Sequence, residues 1–380
     1  MTTDTPTLER QASALETYFR EGEARARALG NRGPARFTAK GKLAPDIVEA
    51  YLEVGFYVVE GVVAQAEVEE LKAELHALLD RLPARREDAV DRHGRPALAH
   101  GLTPSPLHWS KPLGDPMGGS AASPRSPVKM IELQAAADLP EEIVYIIQAP
   151  LQFSDAALRA YAHPALLAIS ATINGEDFTP FSEGYIIKKP GEGAAFAWHQ
   201  DGTTHWDGPT AGPLAHGFNF MLQLYPSTAA NGVWYVPGTH RAKVDIPAKI
   251  AAAGGNLLPD AVPLVCNPGD MAISNRQILH GSFANNSPDW RVSLNSGFHP
   301  RKSVMDVRPG RHLPPGGTYD ADYIRKRCEV IGYAIDARRQ RYPDETPHAY
   351  APHVANGETY RWDEAAREAI RGYHVRDLGI

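Results

Sequence analysis

Short apolar runs separated by turn residues fill the stretch from about 181 to 300, and they limit the possible folds more than any other feature. The runs are YIIKK, AAFAW, FNFMLQLY, GVWYVPG, AVPLVCN, DMAIS and RVSLNSGF, with Pro, Gly or Asn interrupting the chain between them. Runs of this length, rich in β-branched and aromatic residues, are typical of β-sandwiches and barrels. The pattern predicts a mainly β fold in this stretch.

Helical patterns flank the β stretch. Apolar residues from Val68 to Leu82 recur at spacings of three and four, which marks an amphipathic helix. The preceding Phe56-Tyr57-Val58-Val59 is β-branched and aromatic and predicts a short strand. Helical character is also predicted for residues 140–175, and it returns after residue 300 in DADYIRKRCEVIGYAIDARRQRY and WDEAAREAIRGY.

These patterns divide the chain into three parts. We expect a helical arm at residues 1–44, a β domain at 45–300 and a helical extension at 301–380 packed on the same domain. Residues 83–130 are rich in Pro, Gly and Ser, and they predict a long loop inserted in the β domain. A loop of that length inside a domain is usually functional or disordered.

Composition excludes several classes of protein. The chain has 380 residues, enough to bury a core without disulfides, and its two cysteines cannot form a disulfide framework. A net charge of −6 argues against nucleic acid as the main partner. No stretch approaches the ~18 consecutive apolar residues of a membrane span. We therefore expect a cytoplasmic protein without nucleic-acid or membrane partners, and either a monomer or a homodimer.

Two His-x-Asp tripeptides are candidates for metal binding, because side chains two positions apart on a strand point to the same side. His199-Gln200-Asp201 follows the apolar run AAFAW, which can place it at the end of a core strand. His205-Trp206-Asp207 lies among Gly and Pro residues, as in a loop. Context therefore favours the first tripeptide as a metal-binding motif.

A third ligand and an arginine follow downstream. His280 comes after the strand-like DMAIS, and Arg291 begins the strand-like RVSLNSGF. Two His, one carboxylate and open coordination positions form the facial triad of non-haem Fe(II) oxygenases. A guanidinium suits the distal carboxylate of a dicarboxylate co-substrate, because its planar fork pairs bidentately. Ser293 shares a strand face with Arg291, and Ser282 lies two residues after His280, so either hydroxyl could share that carboxylate.

In these stretches the chain resembles the phytanoyl-CoA dioxygenase family of Fe(II)/2-oxoglutarate-dependent oxygenases. The matching segments are VGFYVVEGVV with its following helix, WHQDG, NGVWYVPGTHR and HGSFANNSPDWRVSLN, and they occur in the family's order. The resemblance implies a double-stranded β-helix (jelly-roll, cupin-like) core with flanking helices. It further implies that His199, Asp201 and His280 bind Fe(II), and that Arg291 anchors 2-oxoglutarate.

The same resemblance implies an activity. We expect hydroxylation of an unactivated C–H bond of a small-molecule substrate, with Fe(II), 2-oxoglutarate and O2 as cofactors and release of succinate and CO2. Asp201 is retained, whereas halogenases of the family have a small residue there, which favours hydroxylation. Relatives carry an asparagine where Asn219 stands, so Asn219 is a candidate contact to the co-substrate. Desaturation, cyclisation or another oxidative outcome stays open, and so does a non-catalytic jelly-roll binding or sensor protein.

Four side chains near the predicted metal site are candidates to line a substrate pocket. His205 and Trp206 come just after the metal motif and Trp198 just before it, although packing on the barrel rim is an equal alternative for the first two. The fourth is Tyr185, which shares a strand face with Ile187 in YIIKK. The pattern leaves open which face of that strand points inward.

Overall fold

The part of the chain described by the computed structural model, residues 5–120, 125–202, 214, 216–308 and 317–378, forms two β-sheets with helices on both outer sides. The strands are β1 (Arg32–Pro34), β2 (Phe56–Glu60), β3 (Leu107–Ser110), β4 (Ile143–Gln148), β5 (Thr179–Lys188), β6 (Phe196–His199), β7 (Phe218–Gln223), β8 (Trp234–Val236), β9 (Val262–Pro263), β10 (Met271–Asn275), β11 (Leu279–Ser282) and β12 (Arg291–His299). The α-helices are α1 (Thr5–Ala28), α2 (Pro45–Val54), α3 (Gln65–Asp80), α4 (Asp155–Tyr161), α5 (Pro164–Asn174), α6 (Ile246–Ala253), α7 (Arg301–Val304), α8 (Ala321–Arg341), α9 (Ala351–Ala355) and α10 (Glu364–Ala369).

The two sheets pair strands that are distant in the sequence. The larger sheet has the order β1-β2-β10-β7-β12-β5-β4-β3, and the smaller has the order β6-β11-β8-β9. Neighbouring strands are antiparallel, apart from the parallel pair β1 and β2. Two facing antiparallel sheets with long-range pairings are typical of a jelly roll. This arrangement confirms the predicted mainly β, jelly-roll fold with flanking helices.

Alternation of side chains gives the larger sheet two different faces. In β7, Phe218 and Phe220 pack into the apolar core beneath the helices, whereas Asn219 and Met221 line the space between the sheets. The same period of two in β12 turns Arg291 toward that space. The interior between the sheets is therefore partly polar, and it is here that a cavity forms.

Helices cover the outer faces of both sheets. Apolar side chains of α3, α4, α5 and α8 form one core with the outer face of the larger sheet. On the other side, the α1 residue Tyr18 stacks on Trp234 of β8 with ring centroids 4.6 Å apart. No helix within the described residues is both long enough and apolar enough to cross a membrane.

Two predicted segments differ from the observed structure. Residues 140–175 are predicted to be helical, but Ile143–Gln148 is the strand β4, and an α-helix begins only at Asp155. The run IVYIIQ is β-branched and aromatic, which favours an extended conformation. The predicted loop 83–130 also contains a strand, β3, which pairs with β4 in antiparallel orientation. Both strands extend the larger sheet beyond β5 and contribute to the wall of the cavity.

Candidate active site

His199, Asp201 and His280 converge at one end of the smaller sheet. One possible ligand atom from each residue lies within 4.8 Å of the others. His199 ends β6 and pairs directly with His280 on β11, and their ring centroids are 4.1 Å apart. The distance from His199 Nε2 to Asp201 Oδ1 is 3.8 Å. The structure thus brings the three predicted metal ligands together.

Backbone hydrogen bonds orient both imidazole rings. His199 Nδ1 lies 2.7 Å from the carbonyl oxygen of Ala197, and His280 Nδ1 lies 2.8 Å from that of Ile278. A carbonyl only accepts, so each Nδ1 donates its proton and each Nε2 keeps its lone pair, as in metal-binding histidines. Burial lowers the pKa of His199 to about 3 and also lowers the pKa of His280. Both rings are therefore neutral near pH 7, which is the form that binds a metal.

Gln200 fixes the strand end that carries two of these side chains. Its buried amide nitrogen donates to the carbonyl oxygens of Thr239 at 3.0 Å and Gln277 at 2.7 Å. Its Oε1 accepts a hydrogen bond from the backbone N–H of Val244 at 2.8 Å. Because Gln200 lies between His199 and Asp201, these bonds hold the metal motif against two neighbouring loops.

A cavity of about 320 Å³ lies between the sheets beside the three ligands. Arg291, Ser282 and Asn219 line it, as predicted for the co-substrate site. Among the described residues, Nε and Nη2 of Arg291 and Oγ of Ser282 have no hydrogen-bond partner, although all three atoms are buried. Burial lowers the pKa of Arg291 to about 10, so the guanidinium is still charged at pH 7. A buried, unpaired cation is costly, and this cavity therefore fits an anionic guest such as a carboxylate.

Ser293 does not line the cavity. Its side chain is buried, and its hydroxyl donates to Asn295 Oδ1 at 2.7 Å. The predicted strand alternation with Arg291 is observed, but the hydroxyl of Ser293 is already engaged within its own strand.

Two of the predicted substrate-pocket residues point elsewhere, and the prediction for them is wrong. Trp198 packs outside the smaller sheet, where its Nε1 donates to the carbonyl oxygen of Asn256 at 3.0 Å. Tyr185 is buried in the core beneath the helices. The physical reason is alternation, because each of them immediately neighbours a residue that faces the cavity. His205 and Trp206 lie outside the described residues.

Arg125, in the predicted loop insert, is a site residue that the sequence analysis missed. Its Nη1 forms an ion pair with Oδ1 of Asp201, and it lines the cavity. Burial by itself would raise the pKa of Asp201, but Arg125, together with smaller contributions from His199, His280 and Arg276, outweighs this and holds the pKa below its usual range. The segment SPRSP carries no periodic pattern. The loop insert 83–130 contains several other basic residues, so its composition did not single out Arg125.

A second polar wall of the cavity was also missed, because it belongs to the unpredicted strands β3 and β4. His108 Nε2 lies 3.0 Å from Gln148 Oε1, and Gln148 Nε2 donates to Asp377 Oδ2 at 2.6 Å. Asp377 also lies 3.1 Å from Arg327 of α8, whose main partner is Glu183 at 2.8 Å. Burial raises the pKa of Asp377, which leaves Glu183 as the charge that balances Arg327. The carboxy-terminal segment thus supports this wall.

Comparisons with known proteins find similarity to dioxygenases. Residues 133–293, which contain the three proposed ligands and Arg291, match the family model described as phytanoyl-CoA dioxygenase (PhyH). Dioxygenase lolE1 of Epichloe uncinata is 28% identical over 150 residues, 39% of this chain and 56% of that protein. Phytanoyl-CoA dioxygenase 1 of Oryza sativa subsp. japonica is 31% identical over 121 residues, 29% of this chain and 41% of that protein.

The alignments leave part of each relative uncovered. The chain spans about half the length of the curated relatives it matches. Among solved structures, EctD from S. alaskensis with 2-oxoglutarate and 5-hydroxyectoine has a TM-score of 0.48 and 17% identity, covering 71% of this chain and 80% of that one. The family match over residues 133–293 and the named relatives support assignment to the phytanoyl-CoA dioxygenase family.

Proposed function

We propose that this protein is an Fe(II)- and 2-oxoglutarate-dependent dioxygenase that hydroxylates an unactivated C–H bond of a small-molecule substrate. One observation carries the proposal: His199, Asp201 and His280 converge beside the cavity that contains the buried guanidinium of Arg291, whose Nε and Nη2 have no hydrogen-bond partner among the described residues. Two imidazoles and one carboxylate suit Fe(II) and leave coordination positions open. A guanidinium suits the distal carboxylate of 2-oxoglutarate. The match of residues 133–293 to the phytanoyl-CoA dioxygenase family model supports the same conclusion.

Each residue has a distinct role in this proposal. His199 and His280 would offer neutral imidazoles to the metal, and Asp201 would offer an ionised carboxylate. Arg291 would pair with the distal carboxylate of 2-oxoglutarate, with Ser282 as a further hydrogen-bond donor. When bound, Fe(II) with 2-oxoglutarate and O2 supplies the oxidising power, and 2-oxoglutarate is converted to succinate and CO2.

The walls of the cavity would perform the protein's other task, which is to exclude water and hold the substrate. Ile186, Phe196 and Met221 contribute apolar surface to the lining. A largely dry pocket strengthens the interactions that orient bound groups and suppresses side reactions. His108 and Gln148 add polar groups through which one substrate orientation can be selected.

An absorption experiment tests the proposal. Anaerobic addition of Fe(II) and 2-oxoglutarate should produce a weak visible charge-transfer band, which His199→Ala should abolish. The matched control His93→Ala, at a half-exposed histidine away from the cavity, should retain the band. A folded wild-type protein without the band would overturn the proposal.

Product analysis separates the proposed reaction from its alternatives. Succinate formation under air distinguishes an oxygenase from a non-catalytic binding protein. Hydroxylation adds one oxygen atom to the substrate, whereas desaturation or ring closure removes two hydrogen atoms. Mass spectrometry of the product therefore decides whether the finer part of the proposal holds.

A further inference from the structure

Arg125 places a second guanidinium in the wall of the cavity. It pairs with Asp201 through Nη1, yet 40% of its side chain is exposed. A guanidinium carries five N–H donors in a planar fork, so one ion pair leaves most of its donors for another acceptor. Arg125 therefore touches a proposed metal ligand and can still bind a further group.

The loop that carries Arg125 is held in place by packing and hydrogen bonds. Asp115 is buried, and its carboxylate accepts hydrogen bonds from the backbone N–H groups of Gly118 at 2.9 Å and Met130 at 2.8 Å. At Gly118 the loop approaches β6 so closely that a Cβ there would lie 2.9 Å from the Cβ of Ala197. The loop is thus attached to the strand that leads into the metal motif, which is why its arginine reaches the cavity.

The charges of the loaded site indicate what Arg125 would bind. The two charges of Fe(II) and the charge of Arg291 are balanced by Asp201 and the two carboxylates of 2-oxoglutarate. Glu183, another charged residue of the lining, is paired with Arg327 at 2.8 Å. Among the described residues no carboxylate other than those of Asp201 and Glu183 lines the cavity, so Arg125 has no further counter-charge there once the charge of Asp201 is matched by the metal.

We infer that Arg125 binds a carboxylate of the substrate, so that the enzyme acts on a small organic acid in its anionic form; this inference rests on the proposed function. A planar guanidinium matches a carboxylate in geometry and pairs with it bidentately. A carboxylate carries the one negative charge that offsets Arg125, whereas a phosphate monoester carries roughly −1.5 to −2 at pH 7. An acid group held by Arg125 would lie beside Asp201, which keeps the adjoining carbons close to the proposed metal.

Calorimetric titration of simple acids into the protein loaded with Zn(II), a metal that does not carry out redox chemistry, tests the inference. The protein is loaded with Zn(II) and saturated with 2-oxoglutarate, so that small acids do not take the place of the co-substrate. Benzoate and hexanoate are titrated beside benzamide and hexanamide, with phenyl phosphate as a further probe. The variants are Arg125→Gln, Arg125→Lys and the control Lys129→Gln, which removes one positive charge from the same loop at a half-exposed residue outside the cavity lining.

The wild type should bind each acid roughly tenfold more tightly than its amide, which corresponds to about 1.4 kcal/mol. Arg125→Gln should lose this preference, Arg125→Lys should keep part of it because the charge remains, and Lys129→Gln should keep all of it. Three results would each overturn the inference. The wild type could bind acids and amides with equal affinity, or the preference for acids could survive in Arg125→Gln. The third is tighter binding of phenyl phosphate than of benzoate. A purely structural role for Arg125 would lower the melting temperature or weaken Zn(II) binding and leave the preference unchanged.

Failure of the proposed function is recognised by a different readout. In that case the wild-type protein binds neither Zn(II) nor 2-oxoglutarate before any acid is added. That result would remove this inference together with the proposed function. Normal loading followed by equal affinity for acids and amides removes the inference alone.

Discussion

Replacement of Arg291 by glutamine should stabilise the protein without 2-oxoglutarate and remove most of the stabilisation that 2-oxoglutarate provides. The buried Nε and Nη2 atoms of Arg291 have no partner among the described residues, so the side chain loses hydration without gaining hydrogen bonds there. Burial lowers its pKa from 12.5 to about 10. At about 1.4 kcal/mol per pKa unit, the charged form is disfavoured by roughly 3 kcal/mol. Since glutamine fills less space, we expect a net gain of about 1–2 kcal/mol in the free energy of unfolding.

The effect of 2-oxoglutarate should have the opposite sign. At a concentration one hundred times its Kd, the ligand stabilises the wild type by about 2.7 kcal/mol. Loss of one partner from a buried, hydrogen-bonded charge pair costs about 2–5 kcal/mol of binding. At the same concentration the Arg291→Gln variant should therefore gain less than about 1 kcal/mol.

Denaturant unfolding of the Zn(II)-loaded proteins, with and without 2-oxoglutarate, measures both effects. Arg371→Gln, at an exposed arginine, serves as the control and should behave like the wild type. An Arg291→Gln variant that is less stable than the wild type without ligand would refute the reasoning that this charge is buried without compensation. A variant still stabilised by 2-oxoglutarate to the wild-type extent would refute its role as the anchor.

Three further substitutions test other buried groups. Lys188 is fully buried, and burial lowers its pKa. Lys188→Met should therefore raise the free energy of unfolding by about 1–3 kcal/mol at pH 7. As pH rises toward 10.5, the unfolded chain binds more protons than the folded one, so the wild type gains stability. The advantage of Lys188→Met should shrink at about pH 9.5, and a constant difference between the two pH values would contradict the reasoning. Glu183→Gln should lower the free energy of unfolding by about 3 kcal/mol, because it removes the main counter-charge of buried Arg327. The control Glu364→Gln, at a highly exposed glutamate, should change the free energy of unfolding by less than about 0.5 kcal/mol. Equal effects of the two substitutions in urea unfolding would count against the buried pair. Gln200→Ala should weaken Zn(II) binding by roughly 10- to 100-fold in calorimetric titration, and unchanged affinity would show that the metal motif does not depend on this support.

The β core and the convergence of the three proposed ligands were predictable because both follow largely from local rules. Strands from β5 to β12 are short apolar runs bounded by turn residues, and the period of two fixes which side chains share a face. His199 and Asp201 satisfy that period within one tripeptide. His280 was assigned as the third ligand from the resemblance to the family, and the pairing of β11 with β6 brings it next to His199.

Other parts of the site depend on contacts between distant segments, which local patterns do not carry. Strand β4 was predicted to be helical together with the residues that follow it, but its pairing with β3 and β5 makes it a strand. Arg125 reaches the cavity only because its loop packs on β6, and no periodicity marks such packing. Tyr185 and Trp198 were misassigned because sequence closeness to the site does not decide which face of a strand a side chain occupies.

The central claim is that His199, Asp201 and His280 hold Fe(II) next to 2-oxoglutarate. Anomalous diffraction at the iron edge, from crystals prepared anaerobically with Fe(II) and 2-oxoglutarate, tests it most directly. We predict a single iron peak bonded to these three side chains, with the distal carboxylate of 2-oxoglutarate paired to Arg291. Iron bound at another place, or 2-oxoglutarate bound without contact to Arg291, would contradict the account.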